Sequence, residues 1–367
     1  MISSLPGFFN HLRKIDWFLV AVVGIISGFS LTALYYLGLD NNFFYFKKQL
    51  LYAAIGFFLM AVASFSDYQI FRNYSLFLLV FYGVAILLLA GVLFAGENIR
   101  GTVGWFDFGG FNFAPVELAK LAIVLLLAKY FSLRHVEMYH LRHIVASGIY
   151  VGIPALLVLL QPDLGSAIIL IAVWAGMVIM SGIRLRHLLI LLLIGAILGG
   201  IMWVSFLKEY QKNRILTFLS PQKDPLGASY NVRQSVIAIG SGGLWGKGIG
   251  KGTQSSLGFL PEGHTDFIFA VIAEQVGFIG VLFLLILFML LIYRILKTGW
   301  QANNNFSRLF CVGFSIILFS QIVINVGMNM GLLPVVGIPL PFLSYGGSAA
   351  MINFLGLGIL QSIRAHN

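Results

Sequence analysis

The stretch Leu257–Phe278, LGFLPEGHTDFIFAVIAEQVGF, places Glu262, His264 and Asp266 in a polar, glycine-broken segment that runs straight into a long apolar helix pattern. Ionisable groups at the mouth of a membrane helix mark a functional site by default. Half-burial makes a carboxylate a stronger base, and Asp266 is placed to take a proton from a hydroxyl. A helix N-cap or a partner for the helix dipole is the other role open to it. Glu117 and Lys120 form a second constellation, spaced i and i+3 and therefore on one helix face. They suit either a structural ion pair or a charged cavity wall that receives an anionic head group. Asp163, in QPDLG, suits either the N-cap of the helix that follows or a carboxylate facing the same cavity.

The elements that must position these groups are membrane helices. Of 367 residues, 59% are hydrophobic and only 10% are charged, and the mean hydropathy is +0.94. Soluble domains carry roughly 25% charged residues, so this is a polytopic membrane protein. The net charge of +10 is spread through short loops between apolar runs, as topology determinants are, and does not point to nucleic acid. The single cysteine, Cys311, excludes an intrachain disulfide and reads as a buried inert thiol. The first apolar run follows Arg13 and Lys14 but is long for a signal peptide, and it reads as a retained helix.

The rule of about 20 apolar residues per span predicts an all-α protein with ten spans. They cover about 17–37, 48–66, 74–95, 115–131, 144–162, 166–182, 187–206, 267–293, 308–330 and 343–363. Lys and Arg concentrate at the N-terminus, in the even-numbered loops and in the C-tail, which predicts cytoplasmic termini and an external 207–266 loop. The segments that break the apolar pattern then share the outer side: 97–120, 161–165, the long loop and 325–347. Arg214 and Arg233 in the basic long loop are candidate phosphate contacts, and SYNVRQSVIAIGSG within it is apolar enough to lie along the interface. GKGIGKGT (246–253) lacks the first glycine of a phosphate loop, because Trp245 stands there, and nucleotide binding is rejected. The 325–347 segment carries Asn325 and Asn329 one turn apart, then Pro334, Pro339 and Pro341. Irregular backbone of this kind survives at membrane depth only against protein or a water-filled cavity. No zinc spacing, nucleophile elbow or dinucleotide fingerprint is present.

QPDLGSA (161–167), DPLGASYNVRQSVIAIGSGGLWGKGIGKGTQ (224–254), FLPEGHTDFIFAVIAEQVGF (259–278) and GLLPVVGIPLPFLSYGGSA (331–349) resemble the SEDS family of shape, elongation, division and sporulation proteins. The motifs fall in the family's order and cover essentially the whole chain. HTDFIFAVIAEQ and the Asp16-Trp17 opening look more like RodA than FtsW. One region departs from the pattern. Gly104 stands where the family has an arginine before Trp105, and Arg100 is a candidate substitute. Glu117 and Lys120 match the family's Glu-x-x-Lys.

The resemblance implies a glycosyltransferase of the bacterial cytoplasmic membrane that polymerises lipid II during cell-wall elongation, working with a class B penicillin-binding protein. It also implies that Asp266 matches the family's essential aspartate. In the expected reaction Asp266 activates the acceptor hydroxyl, which displaces undecaprenyl pyrophosphate with inversion. Lys120, Arg214 and Arg233 are the candidates to steady the leaving group. Glu117, Asp163, Glu262, His264 and Ser344 complete the expected substrate contacts. A Mg²⁺ or Mn²⁺ ion near Glu117 or Asp163 would fit such chemistry, although no ligand set is legible. The competing readings are a lipid II flippase and a non-catalytic scaffold for a transpeptidase.

Overall fold

A computed structural model describes residues 11–38, 42–99, 102–134, 141–183, 185–205, 212, 214, 216–218, 220 and 228–366. Arg100 and most of 206–227, including Lys208, Lys223 and Asp224, lie outside the described residues. The helices begin with α1 (Trp17–Leu37), α2 (Phe44–Phe65), α3 (Gln69–Asn73) and α4 (Ser75–Ala95). Three strands follow, β1 (Glu97–Ile99), β2 (Thr102–Asp107) and β3 (Asn112–Phe113). Next come α5 (Pro115–Arg134), α6 (Leu141–Leu160), α7 (Leu164–Met180), α8 (Leu185–Ser205), α9 (Ala228–Ser241) and α10 (Thr253–Ser256). The last three are α11 (Ile268–Gln301), α12 (Asn305–Asn329) and α13 (Gly347–His366).

Each apolar stretch named from the sequence falls on a helix. Among the described residues, six helices are long and apolar enough to cross a membrane: α1, α2, α4, α6, α11 and α12. Helix α5 does not read as a lipid-facing span for a physical reason. It is the centre of the bundle, and every residue from Leu121 to Ala128 is buried, so α5 tolerates charge that a lipid-facing helix would not. The fold is helical as expected, with one small antiparallel sheet added to it. Trp105 pairs with Glu97 and Phe106 with Phe113, so that β1, β2 and β3 form a flap ahead of α5.

Helix α11 is longer than the expected eighth span and is kinked. Gly277 breaks it with φ 68°, and a Cβ there would stand 2.2 Å from the Gly246 nitrogen. Only glycine admits both the left-handed backbone and that approach. The kink separates a buried stub, Ile268–Val276, from the long arm that carries the span. The 242–256 loop folds back onto the stub. Glu274, fully buried, accepts from Lys247 Nζ (2.9 Å), the Gln254 and Ser255 backbone N–H groups (2.9 and 3.0 Å) and Ser255 Oγ (2.9 Å). GKGIGKGT is thus wound around a protein carboxylate, its glycines at 246, 248 and 250 all left-handed. Helix α9, expected along the membrane interface, packs on α11, with Ser235 and Ala238 buried and Val236 and Ile237 exposed.

At the far end of α11, Arg294 Nε donates to the buried Asp16 carboxylate at 2.8 Å, and Arg364 pairs with the same group. Asp16 N–H in turn donates to Gln361 Oε1 at 2.8 Å. This knot ties both ends of the chain to one end of the bundle, on the order of 40 Å along α11 from Asp266 at about 1.5 Å per residue.

Candidate active site

Asp266 belongs to a turn, Glu262–Phe267, and not to the helix it precedes. The N-cap of α11 is Phe267, which offers no side-chain acceptor, so the capping role expected for Asp266 is not how this helix starts. The turn is fastened from outside. The His264 carbonyl accepts the Tyr345 backbone N–H at 2.9 Å, and the Thr265 carbonyl accepts Ser344 Oγ at 2.7 Å. Within the turn Thr265 Oγ1 donates to Glu262 Oε2 at 2.9 Å, and His264 Nε2 lies 3.9 Å from the same oxygen.

The turn opens on a cavity of about 530 Å³. Asp266, His264, Glu117, Asp163 and Arg214 all line it, although they come from four separate segments. The cavity sits where helix ends meet. The N-termini of α2, α5, α7 and α13, the α6–α7 turn and the flap all contribute lining residues. Pro334, Val336, Gly337 and Pro339 form the wall facing Asp266, and a Cβ on Gly337 would lie 3.7 Å from Asp266 Oδ2. Gly165 lets that wall approach α7, since a Cβ there would meet the Val336 carbonyl at 2.8 Å.

Asp163 does both jobs foreseen for it. Its Oδ1 accepts the Ser166 N–H at 3.0 Å as the N-cap of α7, and the residue lines the cavity. Glu117 and Lys120 form a direct pair at 2.6 Å, and both are buried. Lys120 stands behind Glu117 and does not line the cavity. The pair is shielded from solvent, as a structural ion pair would be. Arg233 is exposed on α9 away from the lining, so it does not join Arg214 there. Ser344 is buried and its hydroxyl is engaged, donating to Thr265 and accepting the Leu340 N–H at 2.8 Å. It braces the turn from behind instead of facing a ligand. Among the described residues no three His, Cys, Asp or Glu side chains gather as a metal-ion group. The two carboxylates named for a cation are turned to Lys120 and to the start of α7, and do not fit as a ligand set.

Sequence reasoning missed the aromatic side of the cavity. Tyr45 stacks on the His264 ring with centroids 3.9 Å apart, and Tyr345 packs edge-on against Tyr45 at 5.1 Å. Lys48 lines the same side, and its Nζ donates to the Gly110 carbonyl of the flap at 2.6 Å. Tyr45, Lys48 and Tyr52 share one face of α2 at i, i+3 and i+7, a polar stripe that was available as a signal.

A multi-pass helical membrane protein with a polar, carboxylate-bearing cavity sunk among helix ends is the class that this fold and site define. The chain belongs to the FtsW/RodA/SpoVE family, whose model, described as "Cell cycle protein", matches residues 10–367. It is 41% identical over 313 residues to peptidoglycan glycosyltransferase MrdB of Escherichia coli (strain K12), covering 85% of this chain and 84% of that protein. It is 35% identical over 357 residues to stage V sporulation protein E of Bacillus subtilis (strain 168), covering 95% of each. Among solved structures, a chain of a peptidoglycan synthase complex described as coordinating polymerization and crosslinking superposes with TM-score 0.81 at 32% identity, covering 95% of this chain and 97% of that one. The rod shape determining protein RodA of Thermus thermophilus superposes with TM-score 0.70 at 30% identity, covering 95% and 96%.

Proposed function

We propose that this protein is a peptidoglycan glycosyltransferase that polymerises lipid II during cell-wall elongation, with Asp266 as general base. The observation that carries the reading is Asp266 itself, held on a fastened turn and lining the cavity that Glu117, Asp163 and Arg214 also line. Asp266 takes the proton of the acceptor sugar's 4-hydroxyl. The oxygen attacks the anomeric carbon of the donor, the bond to the pyrophosphate breaks, and undecaprenyl pyrophosphate leaves with its electron pair. Inversion follows from attack opposite the leaving group. Pyrophosphate is already a weak base, so cations can take the place of a general acid, and Arg214 and Lys48 line the cavity for that role. Tyr45, stacked on His264, offers a flat face on which a sugar ring can lie.

The Lys/Arg asymmetry supports cytoplasmic termini and a cavity on the extracytoplasmic side, where no nucleotide sugar is at hand and a lipid-linked donor carries its own leaving group. Likeness to the synthase complex supports a transpeptidase partner, of the class B penicillin-binding type.

The test is polymerisation of purified lipid II by the Asp266→Asn variant. The change is nearly isosteric and leaves the backbone fastenings of the turn in place. A general base contributes about 10²–10⁴-fold, and a loss of that order is expected with the melting temperature unchanged. Polymer at the wild-type rate would remove Asp266 as the base and return the flippase to consideration.

A further inference from the structure

We propose that Asn325 and Asn329 of α12 are positioning residues that set where the Asp266 carboxylate stands, an inference that rests on Asp266 being the base. Both side chains are fully buried and lie one helical turn apart. Asn329 Nδ2 donates to the Asp266 carbonyl at 2.9 Å, and Asn325 Nδ2 donates to the same oxygen at 3.1 Å. A carbonyl oxygen has two lone pairs, and these two amides fill them.

The remaining groups of the two amides show what the arrangement does. Asn329 Oδ1 accepts the Ala270 N–H at 3.2 Å, sharing it with the Phe267 carbonyl at 3.1 Å. In an uninterrupted helix the Asp266 carbonyl would itself receive that N–H, four residues on. The Asn329 carboxamide is therefore spliced into the first turn of α11 as a substitute peptide unit, accepting from one side and donating to the other. The splice holds Asp266 outside the helix while giving its carbonyl two donors in place of the helical one. Asn325 uses its other hydrogen on the Ile338 carbonyl at 2.8 Å. Ile338 adjoins Gly337 on the wall opposite the Asp266 carboxylate. One side chain thus ties the base and the facing wall to the same turn of α12, which fixes the width of the cavity where the hydroxyl must enter.

A structural role alone accounts less well for this geometry. Ser235 Oγ donates to the Asn329 backbone carbonyl at 2.7 Å, lies 3.4 Å from Asn329 Oδ1, and fastens α9 to α12 without touching Asp266. It is the internal control, since its loss weakens the same packing and leaves both amide donors to the Asp266 carbonyl in place.

The experiment is steady-state polymerisation of lipid II by the full-length chain, with its transpeptidase partner where turnover requires it. The variants are Asn325→Ala, Asn329→Ala and Ser235→Ala, each alone, and Asn329→Ala on the Asp266→Asn background. Rates are referred to the folded fraction from thermal melting. A displacement of about 1 Å can cost 10²-fold, so each Asn variant is expected to lose roughly 10- to 100-fold in kcat with KM near the wild-type value. Ser235→Ala lowers the melting temperature without that loss. On the Asp266→Asn background Asn329→Ala adds less than about two-fold, because its effect runs through the base. Wild-type kcat per folded molecule in both Asn variants, or a full further loss on the Asp266→Asn background, would overturn the clamp. If Asn329→Ala does not fold, Asn325→Ser, which leaves the Asn329 splice untouched, decides by the same readouts. Asp266→Asn at wild-type rate defeats the base, whereas a slow Asp266→Asn with fast Asn variants defeats the clamp alone.

Discussion

Replacing Lys120 by methionine removes one charge and keeps much of the side chain's length and apolar bulk. Its Nζ stands 2.6 Å from Glu117 Oε1, and both residues are buried. At an effective dielectric near 20 the attraction at that distance is about 6 kcal/mol. Burying each ion costs several kcal/mol, so the pair as a whole contributes close to nothing to stability. Breaking it is another matter, because Glu117 keeps its desolvation cost and loses its counter-charge. The expected cost of Lys120→Met is therefore about 3–5 kcal/mol. For a chain of this length unfolding as one unit, that is a fall of roughly 4–7 °C in melting temperature. Glu117→Gln alone is expected to cost a similar amount by stranding the ammonium. Glu117→Gln combined with Lys120→Met leaves no buried charge and is expected to melt near wild type. The assay is a thermal melt of the three purified variants in one detergent. A double variant as unstable as the two singles added together would refute the reasoning, and so would an unchanged melt for Lys120→Met. The same double variant isolates the contribution of Glu117 as a cavity wall. With the fold restored, polymerisation is expected to stay at least about 10-fold down, the scale of a lost charge-assisted contact.

Glu274→Gln withdraws the carboxylate around which Lys247, Gln254 and Ser255 are gathered. A hydrogen bond to a charged group is worth about 1.5–3 kcal/mol, so limited proteolysis between residues 244 and 257 should accelerate while the bundle still melts cooperatively; unchanged cleavage there would contradict the account. Orientation is read by placing a cysteine at Ser256, which is exposed, and labelling whole cells with an impermeant reagent after any outer membrane is made permeable. Labelling is expected without lysis of the inner membrane, and Cys311 is buried and silent. A signal that appears only on lysis would invert the topology.

Much of the architecture was legible in the amino-acid sequence, because lipid imposes it locally. A span must be long and apolar wherever it packs, so α1, α4 and α12 could be placed within a few residues from composition alone. The cavity's location at helix ends was legible for a related reason. Polar, glycine- and proline-rich backbone has few refuges at membrane depth, and 161–165, 257–266 and 331–347 all converge on it. Family motifs then singled out Asp266 among the acids. Which polar residue faces the cavity and which stands behind it was settled only by tertiary structure. Lys120 and Ser344 carry the same signal in one dimension as Glu117 and Asp266, yet their polar atoms are spent inside the protein, on a carboxylate and on backbone. Arg233 and Arg214 look alike in the basic loop, and only packing of α9 on α11 turned one of them away. Lys48 and Tyr45 were hidden by the opposite effect, since an amphipathic stripe on a membrane helix acquires meaning only from what lies across from it. The kink at Gly277 and the Asn329 splice depend on contacts between residues tens of positions apart, Gly246 with Gly277 and Asn329 with Asp266 and Ala270. Local propensity carries no information about such contacts. They arise when close packing brings two backbones within reach and a buried polar group must then find its partner.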